Sequence, residues 1–150
     1  MSGLTMNFIG LIPARGGSKS IPRKNLVNLC GKPFLAYTCQ AALECSSLSS
    51  VILSTDDEEI ADVGKNLGVT VPFLRPAHLS SDTSSTVSVL QHALSYLEGQ
   101  NITATALVLL QPTSPLRTSQ HIQEAIDLFL KTGAESVVSL VEVPHQFNPV

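Results

Sequence analysis

The chain lacks any apolar run approaching the roughly 18 residues of a membrane-spanning helix, and no charged segment precedes an apolar stretch at its N-terminus. A soluble, cytoplasmic protein is expected. Cysteine is scarce: Cys30, Cys39 and Cys45 are an odd number, with neither zinc-ligand spacing nor a C-x-x-C pair. They read as small packed apolar side chains in a reducing compartment. Two familiar phosphate motifs are missing as well. The loop G-x-x-x-x-G-K-[ST] needs lysine directly after glycine, whereas Ser18 separates Gly17 from Lys19, and the dinucleotide fingerprint G-x-G-x-x-G does not occur.

The most informative deficit is one of negative charge. Residues 1–43 contain no acid yet hold five cations, Arg15, Lys19, Arg23, Lys24 and Lys32, while residues 44–150 hold four cations and all twelve acids. The net charge of −3 argues against nucleic acid or an anionic membrane as a partner. The cationic N-terminal part asks instead for a compact anion.

What is present fits one domain. At 150 residues with 43% apolar side chains and a mean hydropathy of +0.23, the chain can bury a sizeable core. Its organising stretch is FIGLIPARGGSKSIPRKN, residues 8–25. An apolar strand ends in a Gly-Gly turn, and cations follow. Gly16 and Gly17 can take positive φ, so the N–H groups of Gly16, Gly17 and Ser18 are expected to form an anion-binding concavity, with Arg15 and Lys19 adding full charges.

Downstream, apolar runs alternate with helical patterns. Pro33 opens a first helix and Val51–Ser54 reads as a strand. Asp56 with Glu59 three residues later resembles a capping box for a helix closed by Gly68, and Val69–Phe73 is a strand weakened by Pro72. The polar loop 74–85 is longer than usual strand-to-helix connections, which marks it for a ligand. Helices are expected over 86–98 and 119–131, a strand buried on both faces over 104–110, and a last strand over 136–143. Alternation of strand and helix predicts an α/β fold, an open parallel sheet between helical layers with ligands at the carboxyl ends of its strands. The loops at 13–25, 54–57, 75–86 and 111–117 would gather on that edge.

IPARGGSKSIPRKN, STDDEEIA, LRPAHLSSDTSS and LLQPTSPLRT, in this order across residues 8–118, resemble the acylneuraminate cytidylyltransferases, the CMP-sialic acid synthetase family. The resemblance implies a Rossmann-like three-layer sandwich of the nucleotide-diphospho-sugar transferase type. It implies transfer of CMP from CTP to a nine-carbon keto-sugar acid with release of pyrophosphate, activating the sugar for cell-surface polysaccharide or glycoconjugate synthesis. By motif position, Arg15 and Lys19 would hold the triphosphate, with Gly16, Gly17 and Ser18 in the same cradle. Lys24 would lie on the α-phosphate side, and Asn25 would touch ribose or phosphate. Arg75, Ser84 and Thr86 would recognise cytosine and its ribose. Gln111 would face the acceptor sugar, and His145 is a further sugar-side candidate.

Other residues read as structural. Asp82 is expected as a turn or cap residue and Asp56 as a helix cap, while Arg117 is open between a sugar-carboxylate ligand, a loop cap and an acid's partner. The resemblance also implies Mg2+ and a homodimer, with the metal ligands, the dimer segment and part of the sugar pocket beyond residue 150. Residues 1–150 are thus expected as a single nucleotide-binding domain without metal ligands of its own. A legionaminic, pseudaminic or keto-deoxy-octulosonic acid cytidylyltransferase is an alternative, as is a catalytically incomplete nucleotide-binding module.

Overall fold

The computed structural model describes residues 6–18 and 20–142. Its centre is Phe8–Pro13 (β1), in which Phe8 and Ile12 join one apolar cluster while Ile9 and Leu11 join another. That alternation is what a strand covered on both faces requires. After the loop at 14–25 comes a feature the sequence reading missed, a short hairpin of Asn28–Leu29 (β2) and Lys32–Pro33 (β3). Cys30 and Gly31 at its tip have φ of 50° and 90°, the left-handed pair that a two-residue hairpin turn demands. Cys30 is therefore exposed, which corrects the expectation of three packed cysteines. Cys39 and Cys45 are buried, and burial pushes the Cys39 thiol up to about 12.

Pro33 stands at the N-cap of Phe34–Leu43 (α1). Leu48–Ser54 (β4) then pairs in parallel with β1, and Glu58–Asn66 (α2) follows. The expected third strand is reduced to two isolated bridges, Ile52 with Thr70 and Thr55 with Leu74. Pro72 lies between them and has no N–H to give a ladder. Thr86–Gly99 (α3), Ala106–Leu109 (β5) and Ser119–Thr132 (α4) complete the order, with Gly133 closing α4 at φ 63°.

The sheet runs β4-β1-β5, all parallel. One face packs against Leu35, Cys39, Ile60, Ile122 and Ile126 from α1, α2 and α4, while α3 covers the other face with Ala93 and Leu97. This is the three-layer α/β sandwich expected. The strand expected over 104–110 is covered on both faces, Ala106 and Val108 packing on one cluster and Leu107 on the other, but among the described residues β5 pairs with β1 alone and is half-buried, with Leu109 36% exposed. Apolar sequence reports what lies above and below a strand, not what lies beside it. Residues 136–142 form no strand, Leu140 and Val141 being 88% and 86% exposed, because no described segment flanks them to complete a ladder. No described helix is long and apolar enough to cross a membrane.

Candidate functional site

Because β1, β4 and β5 are parallel, their carboxyl ends share one edge, and the loops there enclose a cleft of about 310 Å³. One wall is the loop after β1, which contributes Arg15, Gly17, Ser18, Lys24 and Asn25. Its shape comes from distant residues. The Gly16 N–H donates to Asp56 Oδ1 at 3.0 Å, and Asn25, itself buried, donates from Nδ2 to the Arg15 carbonyl at 2.9 Å. Arg23 turns left-handed at φ 50°, and its guanidinium donates to both Asp57 oxygens at 3.0 Å and to Glu59 at 2.8 Å.

Two expectations for this loop change. Neither Gly16 nor Gly17 has positive φ. Gly16 is required by space, since a Cβ there would lie 2.7 Å from Asp57 Oδ2, whereas a Cβ on Gly17 would meet nothing within 4 Å. Nor are two of the loop's cations far from acids: Arg15 binds Asp82 at 2.8 Å, and Arg23 has Asp57 and Glu59. Chain separation had hidden these carboxylates, which the fold brings back. Lys19 lies outside the described residues, as does His145.

The opposite wall is the loop before α3, with Arg75, Asp82, Ser84 and Thr86 on the cleft. The Arg75 N–H donates to the Thr55 carbonyl at 2.7 Å, and the residue is 6% exposed. Arg75 Nη2 stands 3.6 Å from Asp56 Oδ1, and neither Nε nor Nη2 makes a hydrogen bond among the described residues. Burial lowers the Arg75 pKa, Asp56 opposes that shift, and the charge of Arg15 adds to it. Arginine stays cationic even so, and two guanidinium groups repelling across a cleft are an anion's natural surroundings. The rest of the loop is held by its own hydroxyls. Ser81 Oγ pairs with Thr83 at 3.0 Å and Ser84 at 2.8 Å, Ser84 Oγ donates to the His78 carbonyl at 2.9 Å, and Ser85 caps α3.

Gln111 lines the cleft from beyond β5. Arg117 Nη2 donates to the Gln111 carbonyl at 3.2 Å, so of the roles left open for Arg117 the structure favours loop bracing. The structure thus gathers Arg15, Gly17, Ser18, Lys24, Asn25, Arg75, Ser84, Thr86 and Gln111 around one space, with Gly16 just behind it.

Two acids take roles that sequence reasoning did not assign them. The cap of α2 is Asp57, which accepts the Ile60 N–H at 3.0 Å, because the helix begins one residue later than a cap at Asp56 requires. Burial works against the Asp57 carboxylate, but Arg23 and the Ile60 N–H prevail and hold its carboxyl below the usual range. Asp56 faces the phosphate-loop side instead. Asp82 sits in a turn, as expected, and from there also lines the cleft and binds Arg15. The signal for both was their place at strand or loop ends on the ligand edge. Among the described residues no three of His, Cys, Asp or Glu come together to hold a metal.

Solved structures share this fold. CMP:2-keto-3-deoxy-manno-octonic acid synthetase complexed with CTP aligns at a TM-score of 0.72 and 21% identity, over 85% of this chain and 49% of that one. 4-Diphosphocytidyl-2C-methyl-D-erythritol synthase aligns at 0.67 and 14%, over 86% and 57%.

Residues 9–149 match the profile described as Cytidylyltransferase, and the chain belongs to that family. It is 40% identical to the CMP-N,N'-diacetyllegionaminic acid synthase of Legionella pneumophila, over 90% of this chain and 58% of that protein. Identity is 36% to the pseudaminic acid cytidylyltransferase of Campylobacter jejuni, over 93% and 60%, and 41% to the N-acylneuraminate cytidylyltransferase of Escherichia coli, over 81% and 28%. The chain thus spans 58%, 60% and 28% of the lengths of these relatives.

Proposed function

We propose that the cleft holds CTP and that the protein transfers CMP to a nonulosonic, sialic-type acid with release of pyrophosphate. The observation that carries this reading is Arg75, a residue 6% exposed whose Nε and Nη2 have no hydrogen-bond partner among the described residues and which lines the cleft opposite a cationic glycine loop. Buried donors of this kind call for a ligand acceptor. A pyrimidine carbonyl on Arg75, with Ser84 and Thr86 nearby, and a triphosphate on Arg15, Lys19, Gly16, Gly17 and Ser18 satisfy both walls at once.

In the reaction the anomeric hydroxyl of the sugar attacks the α-phosphorus and gives up its proton to solvent, the bond from that phosphorus to the β-phosphate bridging oxygen breaks, and the electron pair leaves with pyrophosphate. Arg15 and Lys19 would stabilise the charge gathering there, and Lys24 the α-phosphate. Asn25 would lie against ribose or phosphate while bracing the loop, and Gln111 would meet the acceptor.

Relatives named for legionaminic, pseudaminic and N-acylneuraminic acids lie at 36–41% identity, so the proposal extends to the class of acid and not to one member. The Mg2+ implied by the resemblance finds no carboxylate cluster among the described residues, and Asp56 and Asp82 face Gly16 and Arg15. No step is routed through it. A cytoplasmic homodimer, acting without nucleic acid or membrane, completes the proposal; its support is the resemblance, three free cysteines and a net charge of −3.

Calorimetric titration with CTP, UTP and ATP tests the reading. CTP is expected to bind more tightly than either rival. Equal affinity for all three would reduce the site to a general triphosphate cradle, and no binding by folded protein would overturn it.

A further inference from the structure

Asp56 does not cap α2, and its carboxylate is turned where two walls of the cleft meet. One oxygen, Oδ1, accepts the Gly16 N–H at 3.0 Å and stands 3.6 Å from Arg75 Nη2. Around it the backbone is laced together. The Ala14 N–H donates to the Ser54 carbonyl at 2.9 Å, and the Arg75 N–H donates to the Thr55 carbonyl at 2.7 Å. Ser54 and Thr55 are fully buried, so the platform beneath Asp56 is fixed. Asp56 itself does not line the cleft, whereas Gly17 and Arg75 do.

We propose that Asp56 is a positioning residue for nucleotide binding, a single carboxylate oxygen that sets the phosphate loop against the base-side arginine. The proposal rests on the CTP reading above. Its two contacts need different things. The Gly16 N–H needs only an acceptor oxygen, which asparagine retains. Arg75 is a buried cation beside the Asp56 carboxylate, and it needs the charge, which asparagine lacks. Asp56→Asn and Asp56→Ala therefore separate the two effects.

CTP, UTP and inorganic tripolyphosphate are titrated into the wild type and both variants, with melting temperatures measured in parallel. Asp56→Asn is expected to keep tripolyphosphate affinity within about twofold while the preference for CTP over UTP falls by about tenfold, the scale of one charge-assisted contact. Asp56→Ala is expected to weaken tripolyphosphate as well. Unchanged CTP preference in Asp56→Asn, or loss of all three ligands in step with melting temperature, would overturn the proposal. Wild type that binds none of them would sink the CTP reading. Gly16 amide hydrogen exchange then decides the positioning claim. It should quicken by about tenfold in Asp56→Ala, as expected on losing one such bond, and stay near wild type in Asp56→Asn. Equal rates in all three proteins would refute it.

Discussion

The two walls of the cleft are built in opposite ways. The phosphate-side loop at 14–25 takes its shape from far along the chain, through Asp56 on Gly16, Asp57 and Glu59 on Arg23, and Asp82 on Arg15. The base-side loop at 76–85 is braced mainly from within, its serines and Thr83 bonded to one another and to the His78 carbonyl, and it reaches the other loop through Asp82 and the Ser81 carbonyl, both on Arg15. Arg75 belongs to neither pattern, being fixed by β4 through Thr55 and facing both walls. A loop held by remote partners is sensitive to changes that never touch ligand, whereas a loop held by neighbours absorbs them locally.

The largest effect should come from Arg75, the group on which the walls converge. Arg75→Ala is expected to weaken CTP binding by at least about tenfold, since charge-assisted hydrogen bonds contribute about 1.5 to 3 kcal/mol each, and titration calorimetry reads it. An unchanged Kd would mean that the guanidinium is a structural cation. Next is the contrast within the phosphate loop. Gly16→Ala places a methyl 2.7 Å from Asp57 Oδ2 and should cost about 1 to 3 kcal/mol in denaturant unfolding, while Gly17→Ala should leave stability alone because nothing lies within 4 Å. Equal stability of the two variants would break the claim that the loop is pressed against α2.

Asp57 gives a smaller effect with a pH signature. Asp57→Ala loses a helix cap, for about 1 kcal/mol at neutral pH. Because the folded pKa of Asp57 lies below its unfolded value near 3.9, the stability it adds is full above about pH 4 and disappears as pH falls through the folded value. Wild type and variant should therefore converge in acid, a trend followed by melting temperature from pH 7 to pH 2. Smallest is Ser81→Ala, which removes hydroxyl bonds internal to the base-side loop and keeps the Ser81 carbonyl that Arg15 reaches; it is expected within about 0.5 kcal/mol of wild type and without effect on Gly16 amide exchange. A Ser81 variant that disturbed Gly16 would erase the contrast between the walls.

The sequence made the sandwich legible because β1 alternates its apolar side chains between two clusters and because α3 and α4 carry long apolar faces bounded by Ser85 and by Gly133. It made the cleft residues legible through motif order. What it hid was lateral and long-range. The edge position of β5 and the reduced strand at 69–73 depend on which segment lies alongside, and period and composition do not encode that. The pairings of Arg15 with Asp82 and Arg23 with Asp57 cross 67 and 34 residues of chain, so the acid-free stretch looked uncompensated when it was not. The cap shifted from Asp56 to Asp57 because either aspartate satisfies a local pattern, and only the path of the chain decides between them.

The most direct measurement is an amide NMR titration of the protein with CTP and, separately, inorganic tripolyphosphate. Tripolyphosphate should move signals at residues 15–25, and CTP should move those together with Arg75, Ser84 and Thr86. Shifts from CTP confined to another surface, such as the groove between Glu58 and Leu74, would contradict the assignment of this cleft as the nucleotide site.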